Sequence, residues 1–467
     1  MEALTKRILA IVLIVVIGVG IGVGAWFFLG GGGGYVWTAA DAPGAPSDIT
    51  ADQIIKIGCA GDTGEIQGDG NWEGAYLAAK RINTAGGLDI NGTTYYFGVT
   101  SEDTDESNPN LVTSRGVDAA RRLIYNKKVD FAMGGFRSEA LLAYVEEFMD
   151  AKVLFIDTGA ATDIFCENVN DSYSRYKYFF RFMPINSTSL GGQILGTLAG
   201  FILSMNSSYP NHDIKQIGIL AEDLTWVDSL VAAVNAYIPL LTGGWATMLP
   251  TIRYDITLSA TDMNTHLQSL QSQGADIVIP VISAQGGILM MQQYAANQYD
   301  YLIFGIDVQS QLDTFWASSG GACAYETIMQ TLLRTNKTAQ SVDFWDAFVA
   351  EYSHEPLYTA VGSYDSVMAL KDAINATQSL NALDIIAEME TWTVNNPHPG
   401  AGGGGAWNPN THDLIAGYPW GYTLWCQWQS DGSKTVIPAA IYPDVGPYGS
   451  IVTGNYTVAP WVNSTWY

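Results

Sequence analysis

Two Asp-Thr-Gly triplets stand at Asp62–Gly64 and Asp157–Gly159. Paired aspartates that share one proton are the chemistry of acid-type peptide hydrolysis. Each triplet follows a short apolar run, IIKIGCAG (Ile54–Gly61) and VLFID (Val153–Asp157), so both fall at strand ends in a chain that alternates strands with helices. That chemistry belongs to almost all-β folds, and three-residue matches are cheap, so hydrolysis is set aside. The histidines His212, His266, His354, His398 and His412 show no metal-ligand spacing. Cys59, Cys166, Cys323 and Cys426 lie far apart with no Cys-x-x-Cys, so metal ligation is not expected. Cys59, inside the first strand, reads as a small buried hydrophobe, and Cys323 with Cys426 is one disulfide that an exported chain could form. No Walker loop, G-x-S-x-G or G-x-G-x-x-G stands in a strand–turn–helix context. We therefore expect no enzyme, no cofactor and no metal, and look to binding.

The elements around the triplets say where a ligand would sit. Strand Ile54–Gly61 is followed by the loop DTGEIQGDG (Asp62–Gly70) and the helix NWEGAYLAAKRIN, which stops at Ala85–Gly87. A strand at Tyr95–Ser101, a helix over about 108–125 and a strand at Val129–Gly135 complete the unit. This alternation predicts a parallel sheet with helices on its faces. Ligands of such sheets lie beyond the carboxyl ends of the strands. The loops Gly61–Gly70, Gly134–Glu139 and Asp157–Thr162 are thus expected to form one wall of a cleft. A stripe of Leu141, Val145, Phe148 and Met149, then strands at Val153–Asp157 and Tyr178–Phe182, extend the unit to Pro184.

A second unit repeats the rhythm. It runs through a helix at Leu190–Ser204, strand Gln216–Asp223, a helix faced by Val227, Leu230, Val231, Val234 and Ile238, and strand Thr251–Thr257. Helix Asp262–Gln273, strand Asp276–Ile282, helix Gly286–Ala296 and strand Tyr301–Asp307 follow. Helices are then expected at Ser341–Tyr352, Ala360–Ala376 and Ala382–Met389. From Thr391 onward the chain carries seven of its 14 tryptophans, a glycine run (Gly402–Gly405) and alternating segments such as YTLWCQW (Tyr422–Trp428). These read as strands and turns laid back on a lobe, with an aromatic sugar-binding surface as the alternative.

The 467 residues suffice for two or three domains with a large core. The formal charge of −25, from 46 acidic and 21 basic residues, excludes a nucleic-acid partner, which needs a basic footprint. An uncharged run, Ile8–Leu29, follows Lys6 and Arg7 and is long enough to span a bilayer with the rest of the chain outside. Residues 1–29 are read as this signal or transmembrane anchor, and 30–53 as a flexible linker. Sequons at Asn91, Asn170, Asn186, Asn206, Asn336, Asn375, Asn455 and Asn463 fit an exposed, glycosylated surface.

The run IIKIGCAGDTGEIQGDGNWEGAYLAAKRINTAGGLDINGTTYYFGV resembles the opening of the leucine/isoleucine/valine-type solute-binding proteins of ABC importers, which are type I periplasmic binding proteins. Gly68, Gly74, Ala75, Ile82, Asn83, Gly86, Gly87 and Gly92 fall in step with that family's pattern. GGFRSEA (Gly134–Ala140), VLFIDTGAAT (Val153–Thr162), GILAEDLTWVDSL (Gly218–Leu230), GSYDSVMALKDAI (Gly362–Ile374) and GAWNPNTHDLIAG (Gly405–Gly417) match further on, so the resemblance covers about 54–445. It implies an α/β fold of two doubly wound lobes joined by three crossing strands. Lobe one would hold 54–182 plus about 310–395, and lobe two 183–309 plus about 396–467.

The resemblance also implies a function and a site. The protein would capture a small polar ligand, most simply an amino acid, outside the cell and deliver it to an ABC permease. A ligand-sensing receptor ectodomain and a structural surface glycoprotein are the alternatives. Ser138, Gly159, Ala160 and Thr162 would receive the ligand carboxylate at a helix amino terminus. Trp226 and Gln285 would form the opposite wall, and Asp307 would pair the ammonium. From the residues alone, Ser138 and Asp307 read equally as helix caps and Trp226 as core.

Overall fold

A computed structural model describes residues 34–467 except 284, 418–419, 438–450, 452 and 467. The expected anchor, most of the glycine run that follows it, and Ala284 lie outside the described residues. Thr38–Tyr467 forms one compact unit. The expected linker ends early. Residues 38–53 form two 3-10 turns, Ala39–Asp41 and Ala51–Gln53, and the Pro43 carbonyl accepts a hydrogen bond from Asn83 Nδ2 at 2.8 Å.

Among the described residues this unit holds two large sheets and one two-stranded ribbon. The first comprises β1 (Ile54–Gly61), β2 (Leu88–Ile90), β3 (Thr93–Asp103), β4 (Phe131–Gly134), β5 (Leu154–Asp157) and β6 (Phe179–Arg181), in the order β2-β3-β1-β4-β5-β6. All its pairs are parallel except β2 with β3. The β2–β3 hairpin was not anticipated, because Leu88–Ile90 is too short to show a period. The second sheet contains β7 (Gln216–Glu222), β8 (Thr247–Met248), β9 (Ile252–Tyr254), β10 (Ile277–Ile282), β11 (Leu302–Asp307) and β12 (Thr327–Gln330). A small ribbon follows, β13 (His398–Pro399) with β14 (Gly404–Gly405). Then β15 (Leu424–Trp428) and β16 (Lys434–Val436) add antiparallel to the edge at β12.

The β12 strand pairs with β11, so the second lobe runs past residue 309 to about 330. Trp407 packs on Phe180 and Phe182, and His398 on Phe182, so 398–407 belongs with the first sheet. The changeovers therefore fall within 331–340 and 411–423, later than the 309/310 and 395/396 boundaries read from sequence. Together with 182–186 they make three passages between the sheets. Helices at Ser341–Tyr352 and Ala382–Met389 match their expected bounds, and Tyr358–Thr377 lies within two residues of its own.

Most of the tail tryptophans are core, and Trp420 and Trp461 are half-buried. Trp407, Trp425, Trp428 and Trp466 are among the largest fully buried side chains, so they build no sugar-binding surface. Trp425 stacks on Phe304 at 4.1 Å, Phe304 stacks on Phe201 of the helix Ser187–Ser208, and Trp425 Nε1 donates to Thr197 Oγ1 at 2.9 Å. All four cysteines are free and buried. Cys426 belongs to one hydrophobic cluster of the second lobe and Cys323 to the other, so the expected pair does not form.

Helix Ile66–Thr84 crosses helix Tyr358–Thr377 at Gly74, where a Cβ would meet the Ala360 carbonyl oxygen at 2.0 Å. Neither backbone can give way, because both helices are pinned to the first sheet. We expect Gly74→Ala to destabilise the protein by about 1–3 kcal/mol, read from the urea midpoint. An unchanged midpoint would contradict this packing.

Candidate ligand-binding site

In parallel strands all carboxyl ends point one way, and here β1, β4 and β5 of one sheet and β7, β10 and β11 of the other end around a common gap. The gap encloses a cavity of about 50 Å³. A water occupies roughly 10–15 Å³ by the same measure, so this space suits a compact solute or a few waters. Phe136 and Arg137 follow β4, Gly159 and Ala161 follow β5, and Tyr358 opens its helix, making the first wall. Leu224 and Trp226 follow β7, Ser283 follows β10, and Ile306, Val308 and Gln311 come from β11 and its turn. Ile185, Thr331 and Thr423 of the three passages close the back. Apolar side chains dominate this wall, and Arg137 is the one charged residue on it among the described residues.

The lobes are held together across the mouth. Glu139 Oε1 accepts the Thr225 N–H at 2.8 Å, and Gln67 Nε2 donates to the Ser283 carbonyl at 3.0 Å. Glu139 also faces Arg137, whose Nε lies 3.4 Å from Oε2. Arg137 Nη1 donates to the Asn108 carbonyl at 3.0 Å, and no hydrogen bond engages Nη2 among the described residues. Beneath it Glu106, fully buried, accepts the N–H groups of Phe136 and Arg137, which fixes the turn that carries the guanidinium. Burial pushes the Glu106 carboxyl up to about 8.

The expected residues separate into two groups. Gly159 and Trp226 line the cavity. Trp226 Nε1 donates to Glu222 at 2.6 Å, which leaves the indole face as wall. The Gly159 carbonyl accepts Tyr358 OH at 3.1 Å. The remaining residues are held by the protein itself. Ser138 Oγ accepts the Thr162 N–H at 3.2 Å, and the Thr162 carbonyl takes Arg181 Nη2. The Gly159 and Ala160 N–H groups both donate to Asp157 Oδ1, at 3.0 and 2.8 Å. The amide donors expected to cradle a carboxylate are thus already engaged. Gln285 uses its carbonyl to accept Tyr254 OH at 2.7 Å. Asp62 accepts the Ser107 N–H and Asp157 pairs with Arg181 at 3.1 Å, so the two triplet aspartates serve separate loops.

Asp307 is fully buried and outside the lining. Its Oδ1 accepts the Gln309 N–H at 3.1 Å and the Ser310 N–H at 3.4 Å. The carboxylate also abuts Gly287, where a Cβ would come within 2.0 Å of Oδ2. Asp307 Oδ2 and Glu326 Oε1 are both buried without a hydrogen-bond partner among the described residues. The two carboxyls lie side by side, and a shared proton is the arrangement that satisfies both. Burial pushes Asp307 up to about 7 and Glu326 well above the carboxylate range, the neighbouring acid adding to the latter.

Three residues escaped sequence reasoning: Arg137, Glu106 and Tyr358. A signal for Arg137 was present, as the lone cation just after an apolar strand in GGFRSEA.

A family model described as periplasmic binding protein matches residues 55–420, and the chain belongs to that family. The solved structure of LivJ from Streptococcus pneumoniae, in complex with isoleucine, is 17% identical with a TM-score of 0.63, covering 86% of this chain and 100% of that one. LivK, a leucine binding protein from Thermotoga maritima, is 17% identical with a TM-score of 0.64, covering 84% and 99%. An ABC-transporter solute binding protein from R. palustris, in complex with benzoate, is 16% identical with a TM-score of 0.64, covering 86% and 98%. No curated protein matches the chain. The chain therefore has the type I two-lobed fold of proteins that bind small molecules for ABC transporters.

The acid pair has a consequence for stability. A folded-state pKa raised above its unfolded value means that the folded chain holds the extra proton, so stability is lost as pH rises through about 7. We expect the urea midpoint to fall between pH 5 and pH 8.5, and Glu326→Gln to flatten part of that fall. Glu106, raised to about 8, and Asp365, raised to about 6, add to the fall, and Lys337, lowered to about 7, opposes it above neutral pH. A wild-type slope retained in full by Glu326→Gln would refute the shared proton.

Proposed function

We propose that this protein is an exported solute-binding protein that encloses a compact solute with an apolar body and one anionic group, and presents it to an ABC permease. The observation that carries this reading is the lining: an apolar wall, one guanidinium with a free Nη2, and no carboxylate among the described residues. In this reading the solute's apolar part lies against the Trp226 ring and the Gly159 backbone, and its anionic group meets Arg137. Closure follows from geometry, since a solute touching Phe136 and Arg137 on one lobe and Leu224 and Trp226 on the other gains both sets of contacts only in the closed state. The apolar run Ile8–Leu29 and the sequons support a tether at the outer face of the cytoplasmic membrane, with glycans on the exposed surface.

An α-amino acid was the expectation from sequence. Its ammonium would need an acceptor in the wall. The nearby carboxylates are occupied: Glu222 by Trp226 and Ser283, Glu139 by Arg137 and Thr225, and Asp307 by its own turn. A carboxylate without an ammonium therefore fits better than a zwitterion. Both chemistries occur among similar structures, one bound to benzoate and another to isoleucine.

Titration calorimetry with benzoate, isobutyrate, leucine and benzamide tests the reading. We expect heats from the two carboxylates and none from benzamide. A hydrogen bond to a charged group is worth about 1.5–3 kcal/mol, so Arg137→Gln should weaken carboxylate binding roughly ten- to a hundredfold. Leucine binding as tightly as the carboxylates, or benzamide binding equally well, would overturn it.

A further inference from the structure

Lys337 lies in the passage between β12 and the helix Ser341–Tyr352, yet it is 4% exposed. Its ammonium donates to three backbone carbonyls from three separate stretches of chain. Thr331 at the exit of β12 accepts at 2.7 Å, Gly402 belongs to the glycine run on the first lobe, and Tyr422 leads into β15 of the second. An ammonium has three N–H donors and no acceptor, and here each donor has its own carbonyl. The Tyr422 ring adds a cation–π contact, with Nζ 4.6 Å from its centroid.

Burial pulls Lys337 down to about 7, and the nearby Asp365 carboxyl opposes that shift, while the three carbonyls match the three donors of the charged form. Asp365, on the helix Tyr358–Thr377, is buried and accepts the Ala401 and Gly402 N–H groups at 2.8 Å each. Gly402 is therefore gripped on both sides, by Asp365 at its N–H and by Lys337 through its carbonyl. A side chain at Gly402 would strike Val361 at 2.7 Å, so the bare backbone is what lets the strand thread between helix and lysine. Lys337 does not line the cavity; of its three acceptor residues, Thr331 does.

We propose that Lys337 is the pivot of the two lobes: its ammonium clamps the second and third passages to the glycine run of the first lobe, at one fixed point about which the lobes open and close. The latches at Glu139–Thr225 and Gln67–Ser283 lie at the mouth, on the far side of the cavity from the passages. Opening breaks those latches and leaves the Lys337 clamp intact. The proposal rests on the lobe motion described above but not on the identity of the solute, so the test uses none.

Because the four native cysteines are buried, spin labels can be placed selectively on the full chain at Asp118→Cys in the first lobe and Gln268→Cys in the second. We expect the parent pair to give a narrow interlobe distance distribution. Lys337→Met keeps an unbranched side chain and removes the donors, and it should broaden that distribution with the helical circular-dichroism signal retained. A folded Lys337→Met protein with the parent distribution overturns the proposal. A second arm keeps Lys337 and breaks the mouth with Gln67→Ala plus Glu139→Ala. Amide exchange should then rise at Thr225 while peptides over 331–337 keep their protection. A rise at 331–337 equal to that at Thr225 overturns the pivot, whether or not Lys337→Met folds.

Discussion

Where a chain passes between two sheets, its peptide groups leave the ladders that would otherwise pair them. A buried polar group left unpaired costs about 1–3 kcal/mol, and this chain makes three such passages side by side. Buried cations meet the need. Arg181, at the end of β6, is fully buried and joins Asp157, Asp413 and the Thr162 carbonyl. Lys337 collects one carbonyl from each of the other two passages and a third from the glycine run of the first lobe. Lys434 on β16 reaches across to Glu355 at 2.8 Å, with its ammonium 5.0 Å from the Trp428 ring. In a chain with 46 acidic and 21 basic residues, placing three of the few cations out of water is costly unless each is fully partnered. Here they are, and the geometry of the gap between the lobes follows from where they sit.

That rigidity shapes the site. The loop after β5 is braced by Asp157, Arg181, Ser138 and Tyr358, so its amide donors hold the loop and are not presented to solvent. The turn after β4 is braced from below by Glu106, and Arg137 is left with one free edge of its guanidinium. The opposing wall is apolar because Glu222 ties down Trp226 and Ser283, and because Asp307 is folded inward against Glu326. A pocket whose polar groups are mostly self-satisfied selects by shape and by its single unsatisfied charge.

Much of the architecture was legible in the sequence because buried parallel strands read as continuous apolar runs. Ile54–Gly61 and Gln216–Glu222 were found this way, and the helices Ser341–Tyr352 and Ala382–Met389 by their periodicity and end signals. The lobe boundaries were less legible. Thr327–Gln330 is four residues long and declares its partner only through pairing with β11. The site was legible in position but not in role. Trp226 and Gly159 do face the cavity, since strand ends can be located from pattern. Whether Asp307 points to a ligand or to its own turn depends on Glu326 and Gly287, which are distant in sequence. The tryptophan-rich tail shows the same limit: composition cannot distinguish Trp425 as a core stack from an exposed aromatic surface.

The central claim is that a solute is held between the Arg137 guanidinium and the Trp226 ring by both lobes at once. A crystal structure of the full chain grown with benzoate tests this directly. The account predicts density for the carboxylate at Arg137 Nη2, with the ring against Trp226 and the Glu139–Thr225 bridge closed over it. Ligand density confined to one lobe, or an empty gap beside an occupied site elsewhere, would contradict it.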